Sequence, residues 1–218
     1  MCIRDRYLYT PEDVRREVIH LEEKTLYGYA WNKVYRVQSL RESGVVFEKI
    51  TLIEDIKFNV SYFDSVCSMN VLNTTPYHYL KRIDGSLTNK FLPDYFTLNA
   101  ERVFLVLEQY KNWGMCTEEV RRVLANIYVR YLFSALQRNR DKRSDMNHAQ
   151  RKEWLKQQYK TPLCKELLSA VQASGTLFKC MAKAFCAGNI PLCLMIARSI
   201  FAVKSAFPTV FSTLKQQH

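Results

Sequence analysis

Apolar residues recur at helical spacing along most of the chain, and the departures from that period are concentrated in its first third. Thr10-Pro11-Glu12-Asp13 reads as a helix start. It has a side-chain acceptor at the cap, a proline at the first position, where its missing N–H breaks no helical bond, and acids in the first turn. Val14, Val18, Ile19 and Leu21 then line one side up to about Lys24. Leu52 and Ile53 suit a short buried strand, whereas Ile56, Phe58, Asn59, Tyr62 and Phe63 return to the helical period. Glu54 and Asp55 therefore fall at a strand-to-helix junction. Val66–Val71 and Tyr77–Lys81 read as two further strands with Asn73-Thr-Thr-Pro76 between them.

From about Leu98 the pattern is helical throughout. Val103, Leu107 and Tyr110 mark one helix closed by Gly114. Thr117 caps the next, whose inner face is Val120, Leu124, Ile127, Tyr131, Leu132 and Ala135. Ser144 restarts a helix that ends near Lys160, and Thr161-Pro162 starts another that stops near Gly175. Two amphipathic helices follow, broken at Gly188-Asn189-Ile190-Pro191. The pattern predicts an α/β domain with a few strands over residues 7–95, then an all-α extension over 96–218. Residues 1–6, Met-Cys-Ile-Arg-Asp-Arg, show no periodicity and resemble a translated, non-native tag.

Composition sharpens this division. With 48% hydrophobic residues and only six Gly and six Pro, the chain has material for a core and little for flexible linkers. Residues 1–120 carry 15 Lys and Arg against 17 Asp and Glu, and residues 121–218 carry 17 against 4, so the net charge of +11 belongs to the second part. That asymmetry points to an anionic surface as partner, or to a plain solvated helical face. An anionic membrane is the expected partner of 121–218, where the last two helices either pack as a hairpin or lie in the interface. Nucleic acid is not expected, because aromatic residues there fall mostly at inward helical positions, without the interleaved Arg and Lys of a stacking platform. Seven cysteines without a C-x-x-C pair or a nearby His at zinc spacing read as buried thiols in a reducing compartment. No uncharged apolar run reaches the ~18 residues of a spanning helix. The expected location is the cytoplasm, peripheral on the inner face of the membrane.

Two places carry candidate chemistry. Glu54-Asp55 meets the positive end of a helix dipole and free backbone N–H groups, which fix a carboxylate in direction; it serves there as a positioned base or as an ordinary cap. Tyr27-Gly-Tyr-Ala-Trp31-Asn32-Lys33-Val-Tyr-Arg36 sets amide and ammonium groups beside an aromatic cluster. Such a cluster is either core or a surface for a pyranose ring, whose face stacks and whose hydroxyls need directional partners.

Taken in order, Ala30-Trp-Asn-Lys-Val-Tyr-Arg36, a short helix with Gly44, Glu54-Asp-Ile-Lys-Phe-Asn59, Tyr77-His-Tyr-Leu-Lys-Arg82 and Ser86-Leu-Thr88 resemble the C-terminal half of a family-2 glycosyltransferase with the GT-A (Rossmann-like) fold. The resemblance covers about residues 10–95 and is to bacterial enzymes of surface-polysaccharide synthesis. It implies a nucleotide-sugar donor, a glycan or lipid-linked hydroxyl acceptor, and inversion by direct displacement. It also implies Asp55 as general base with Glu54 beside it. Trp31, Asn32 and Lys33 would shape the sugar pocket, and Arg82 and Ser86 would lie on a loop near the diphosphate. A divalent metal, Mg²⁺ or Mn²⁺, is implied as cofactor; His78 is either a late metal ligand or a hydrogen-bonded structural residue. No Asp-x-Asp occurs in the sequence, so the expectation is a half domain, inactive alone, whose nucleotide-binding half lies elsewhere. No Q-x-x-R-W follows Glu54-Asp55, which favours addition of one or a few sugars.

Overall fold

The structure, a computed structural model, describes residues 5–50, 52–75, 77 and 91–206. Among these residues it forms strand β1 (Arg6–Leu8), helices α1 (Pro11–Glu23), α2 (Val37–Ser43) and α3 (Glu54–Phe63), and strand β2 (Met69–Val71). The long helices α4 (Tyr95–Asn112) and α5 (Glu118–Arg138) follow. After them come α6 (His148–Lys160), α7 (Pro162–Leu167), α8 (Thr176–Cys186) and α9 (Ile190–Ala206). Two compact units result: residues up to 90 with 101–116, and residues 91–100 with 117 onward. α4 thus contributes its first residues to the second unit and the remainder to the first.

The α/β, Rossmann-like half domain expected from the sequence is corrected by this architecture. The described residues are mostly helical, and their one sheet has two strands. β1 and β2 pair antiparallel, with Arg6 opposite Val71 and Leu8 opposite Met69. The strand expected at Leu52-Ile53 does not form, because Leu52 takes a left-handed φ of 79° and Ile53 sits at the N-cap of α3 with ψ near 12°. Ile53 is apolar because it is buried as the residue that leads into α3, and a two-residue apolar run cannot distinguish that role from a strand. Of Val66–Val71 only Met69–Val71 pairs. Tyr77 is in no strand, and residues 78–81 lie outside the described residues. Arg6, assigned from the sequence to a tag, joins β1 and forms an ion pair with the buried Glu17, while Asp5 accepts from the Asn73 amide.

In the first unit the apolar faces of α1 (Val14, Val18, Ile19), α3 (Ile56, Phe58, Phe63) and the later part of α4 (Val103, Val106, Leu107) are buried. Polar side chains tie these helices together. Tyr110 Oη donates to the Arg15 carbonyl at 2.6 Å, and Gln109 Nε2 donates to the Val60 carbonyl at 2.7 Å. α1 begins as its sequence dictates, with Thr10 accepting from the Asp13 amide and Pro11 at the first position.

The second unit is organised on α5, which buries residues on nearly every side, from Val120 and Val123 to Leu132, Phe133 and Leu136. A helix of that kind belongs at the centre of a bundle. Its Thr117 cap accepts from the Val120 amide. α8 and α9 pack on it, and α9 also packs on α6. The expected restart at Ser144 occurs three residues later, where Asn147 and Gln150 form a reciprocal capping box; Ser144 instead ends a 3-10 turn. The helix begun at Thr161-Pro162 ends at Leu167 and tightens into a 3-10 turn. Among the described residues, no helix is long and apolar enough to cross a membrane.

Candidate functional site

α1 ends at Glu23, and the segment up to α2 has no ladder of its own. Its backbone is held by side chains instead. Tyr27 is fully buried, its hydroxyl donating to Gln109 Oε1 at 2.8 Å and its carbonyl accepting from Asn59 Nδ2 at 3.0 Å. Asn59 Oδ1 in turn accepts from Tyr35 Oη at 2.7 Å, so one buried amide on α3 fastens both ends of the segment. Gly28 lies against the Arg102 guanidinium so closely that a Cβ there would stand 2.6 Å from it. That guanidinium is fixed by a bidentate pair with Glu22, at 2.8 Å to each carboxylate oxygen, and both side chains are nearly excluded from water.

On this base the structure brings together five of the residues singled out from sequence. Glu54 and Asp55 occupy the first turn of α3, and Asp55 Oδ2 accepts from the Ala30 amide at 3.0 Å. The carboxylate is thereby held beneath a peptide flanked by Tyr29 and Trp31. Those two rings are 5.1 Å apart, and Trp31 stacks on Tyr77 at 5.0 Å and 30°. Tyr29 and Trp31 are each 39% exposed and Tyr77 is 52% exposed, so the three rings form an accessible shelf beside the loop. Glu54 Oε2 is buried without a hydrogen-bond partner.

Asn32 and Lys33 face inward, toward their own loop. Asn32 Nδ2 donates to the Leu26 carbonyl at 2.9 Å. Lys33 Nζ sits among the carbonyls of Leu26 and Tyr27, both at 2.8 Å, that of Tyr29, and Asn32 Oδ1 at 2.9 Å. Burial lowers its ammonium from 10.5 to about 7, Glu22 and Asp55 act against that shift, and Arg102 adds to it. An ammonium has three donors, all of which this cage of oxygens can engage. Lys33 thus fastens the loop that presents Trp31.

Arg82, Ser86 and His78 lie outside the described residues. Among the described residues no three His, Cys, Asp or Glu side chains gather as a metal-ligand set. A cavity of about 320 Å³ in the second unit, lined by Val171, Ala173, Lys179, Ala182, Lys183 and Cys186, contains none of the residues singled out from sequence.

Sequence reasoning missed Tyr29 and Tyr77 as exposed rings and Arg102 as the support under Gly28. The Glu22–Arg102 pair had one signal: Glu22 stands four and eight residues after Val18 and Val14, at an inward helical position where an acid needs a buried partner. Compared with protein-family models, with curated proteins and with solved structures, the chain gives no match.

Proposed function

We propose that residues 27–77 form the acceptor side of a sugar-transfer site, in an inverting glycosyltransferase that moves a sugar from a nucleotide-sugar donor to a glycan or lipid-linked hydroxyl. The observation that carries this reading is the Asp55 carboxylate bonded to the Ala30 amide, whose chain neighbours Tyr29 and Trp31 carry exposed rings. An aromatic shelf takes the apolar face of a pyranose, and a carboxylate beside it can accept a hydrogen bond from a ring hydroxyl. With Oδ2 tied to the loop, Oδ1 is the atom to receive that hydroxyl.

In the proposed reaction the acceptor oxygen bonds to the anomeric carbon while the bond from that carbon to the diphosphate oxygen breaks, and the hydroxyl proton passes to Asp55. An alcohol is a far weaker acid than a carboxylic acid, so the proton moves late, once the oxygen has begun to bond to a cation-like carbon. Asp55 then works by position more than by base strength, which gives a role to the side chains that hold its loop still. The donor's nucleotide and any divalent cation belong to parts of the enzyme beyond the described residues. Cytosolic nucleotide sugars would place the reaction on the cytoplasmic face of the membrane.

Asp55→Asn in the catalytically competent enzyme is the test. Asparagine retains an acceptor for the Ala30 amide but cannot take up the proton, so turnover should fall at least ~100-fold with acceptor binding kept. Undiminished turnover removes Asp55 as the base.

One observation favours a second reading, in which the basic helices dock on an anionic membrane. α8 and α9 expose Leu177, Met195 and Val203, carry Lys179, Lys183, Arg198 and Lys204, and contain no acid. Cosedimentation with vesicles rich in anionic lipid at low salt should retain the chain and lose it as salt is raised; no cosedimentation at low salt ends this reading.

A further inference from the structure

The turn after α5 brings Arg140 against α9, where its Nη2 donates to the Leu194 carbonyl at 3.3 Å. Arg198 stands one helical turn beyond Leu194, so its side chain rises from the same side of α9. Arg151, in the first turn of α6, donates from Nε to the carbonyl of Asn139, the residue before Arg140, at 2.7 Å. Three elements of the second unit thus direct a guanidinium to one corner.

Those contacts engage one N–H of Arg140 and one of Arg151, out of five on each group. Satisfying the carbonyls after α5 therefore explains only part of the cluster. Arg140 Nε is buried with no hydrogen-bond partner, a state that disfavours the fold unless something accepts from it. Burial, then the like charges of Arg151 and Arg198, lower the pKa of the Arg140 guanidinium, and no carboxylate acts on it in the opposite direction. Two of the neighbouring acids are engaged elsewhere, Asp141 with Arg143 at 2.7 Å and Glu153 with Gln157 at 2.7 Å. The sequence contains no Asp or Glu after Glu166.

We propose that Arg140, Arg151 and Arg198 form a binding site for a phosphomonoester dianion, with Arg140 Nε–H as its buried donor. Three planar, permanently charged forks match the several oxygens and double charge of such a group better than a lone carboxylate, which would leave most of the positive charge uncompensated. The phosphate comes either from a phosphomonoester lipid headgroup or from a soluble phosphorylated compound.

The test uses the whole chain in two arms. The first is calorimetric titration with inorganic phosphate at constant ionic strength against a chloride control. The second is cosedimentation with phosphatidylcholine vesicles containing phosphatidic acid or, at matched surface charge, phosphatidylglycerol. Saturable binding of phosphate or selective retention on phosphatidic acid is expected, weakened about tenfold by Arg198→Gln and by Arg151→Gln. Arg198 is exposed, so its variant keeps the fold; Arg140→Gln is read only after circular dichroism shows native helix content. Phosphate binding without a preference for phosphatidic acid assigns the site to a soluble phosphate, and a preference that Arg198→Gln abolishes assigns it to the headgroup. The proposal is overturned if neither arm shows binding, or if the Arg198 and Arg151 variants both bind as tightly as the parent chain.

Discussion

Glu22, Asn59 and Gln109 lie buried in the first unit and reach between helices and loops, whereas the buried surface of α5 in the second unit is almost entirely apolar. The contrast follows from what each unit must hold. Helices satisfy their own backbone, so α5 and its neighbours associate mainly by apolar packing, with a few polar ties such as Asn126 to the Gln172 backbone and Lys204 to Gln137. The segment between α1 and α2 has no ladder, and beyond a few turn bonds its peptide groups at Leu26, Tyr27 and Ala30 are satisfied by the side chains of Asn32, Lys33, Asp55 and Asn59. Such tethers are directional. They set the Ala30 amide on Asp55 in a way that apolar packing alone would not.

The comparison is broken most severely at the Glu22–Arg102 pair. Arg102→Ala should destabilise the first unit by about 3–5 kcal/mol, because it leaves the Glu22 carboxylate buried and uncompensated. In the second unit, Leu132→Ala should cost about 2–5 kcal/mol through lost transfer and a cavity. Adding salt should not restore the leucine variant. Urea unfolding of both variants measures the effects, and an Arg102→Ala change below about 1 kcal/mol would mean that the pair is not held as described.

A smaller effect distinguishes the two kinds of tether. With its ammonium lowered to about 7, Lys33 holds fewer protons in the folded chain than in the unfolded one between that value and its ordinary 10.5. Its contribution to stability therefore rises with pH across that window, by at most about 1.4 kcal/mol per pH unit. Lys33→Met should flatten the rise between pH 7 and 9 in urea unfolding, besides loosening the loop at every pH. An unchanged slope would show that the oxygens around Nζ keep the ammonium near its ordinary value.

Local signals in the sequence were sufficient where the structure is local. Thr10-Pro11 and Thr117 stand where their capping chemistry puts them, and Glu54-Asp55 opens α3 as its period suggests, although Ile53 precedes it with no side-chain cap. The juxtaposition of Asp55 with the Trp31 segment was legible only through the order of motifs, and the structure brings the two together across 25 residues of chain. The strands failed for an equally physical reason. Leu52-Ile53 and Val66–Val71 are too short for period to separate strand from buried loop, and a residue pairs only if a partner strand reaches it, as Arg6–Leu8 reaches Met69–Val71. Arg102 under Gly28 could not be read from spacing at all, since its partner Glu22 lies 80 residues away.

A modest effect on stability is expected at Trp31, which is 39% exposed but packed against two rings; Trp31→Ala should cost about 1–2 kcal/mol. It is also where the central claim is most directly measured. Calorimetric titration of a panel of neutral oligosaccharides into the chain and into Trp31→Ala compares acceptor binding with the shelf present and absent. The account predicts saturable binding of at least one glycan, weakened about tenfold or more in a variant that remains folded. Saturable binding of equal strength in the two proteins, or none to the parent from any glycan in the panel, would contradict it.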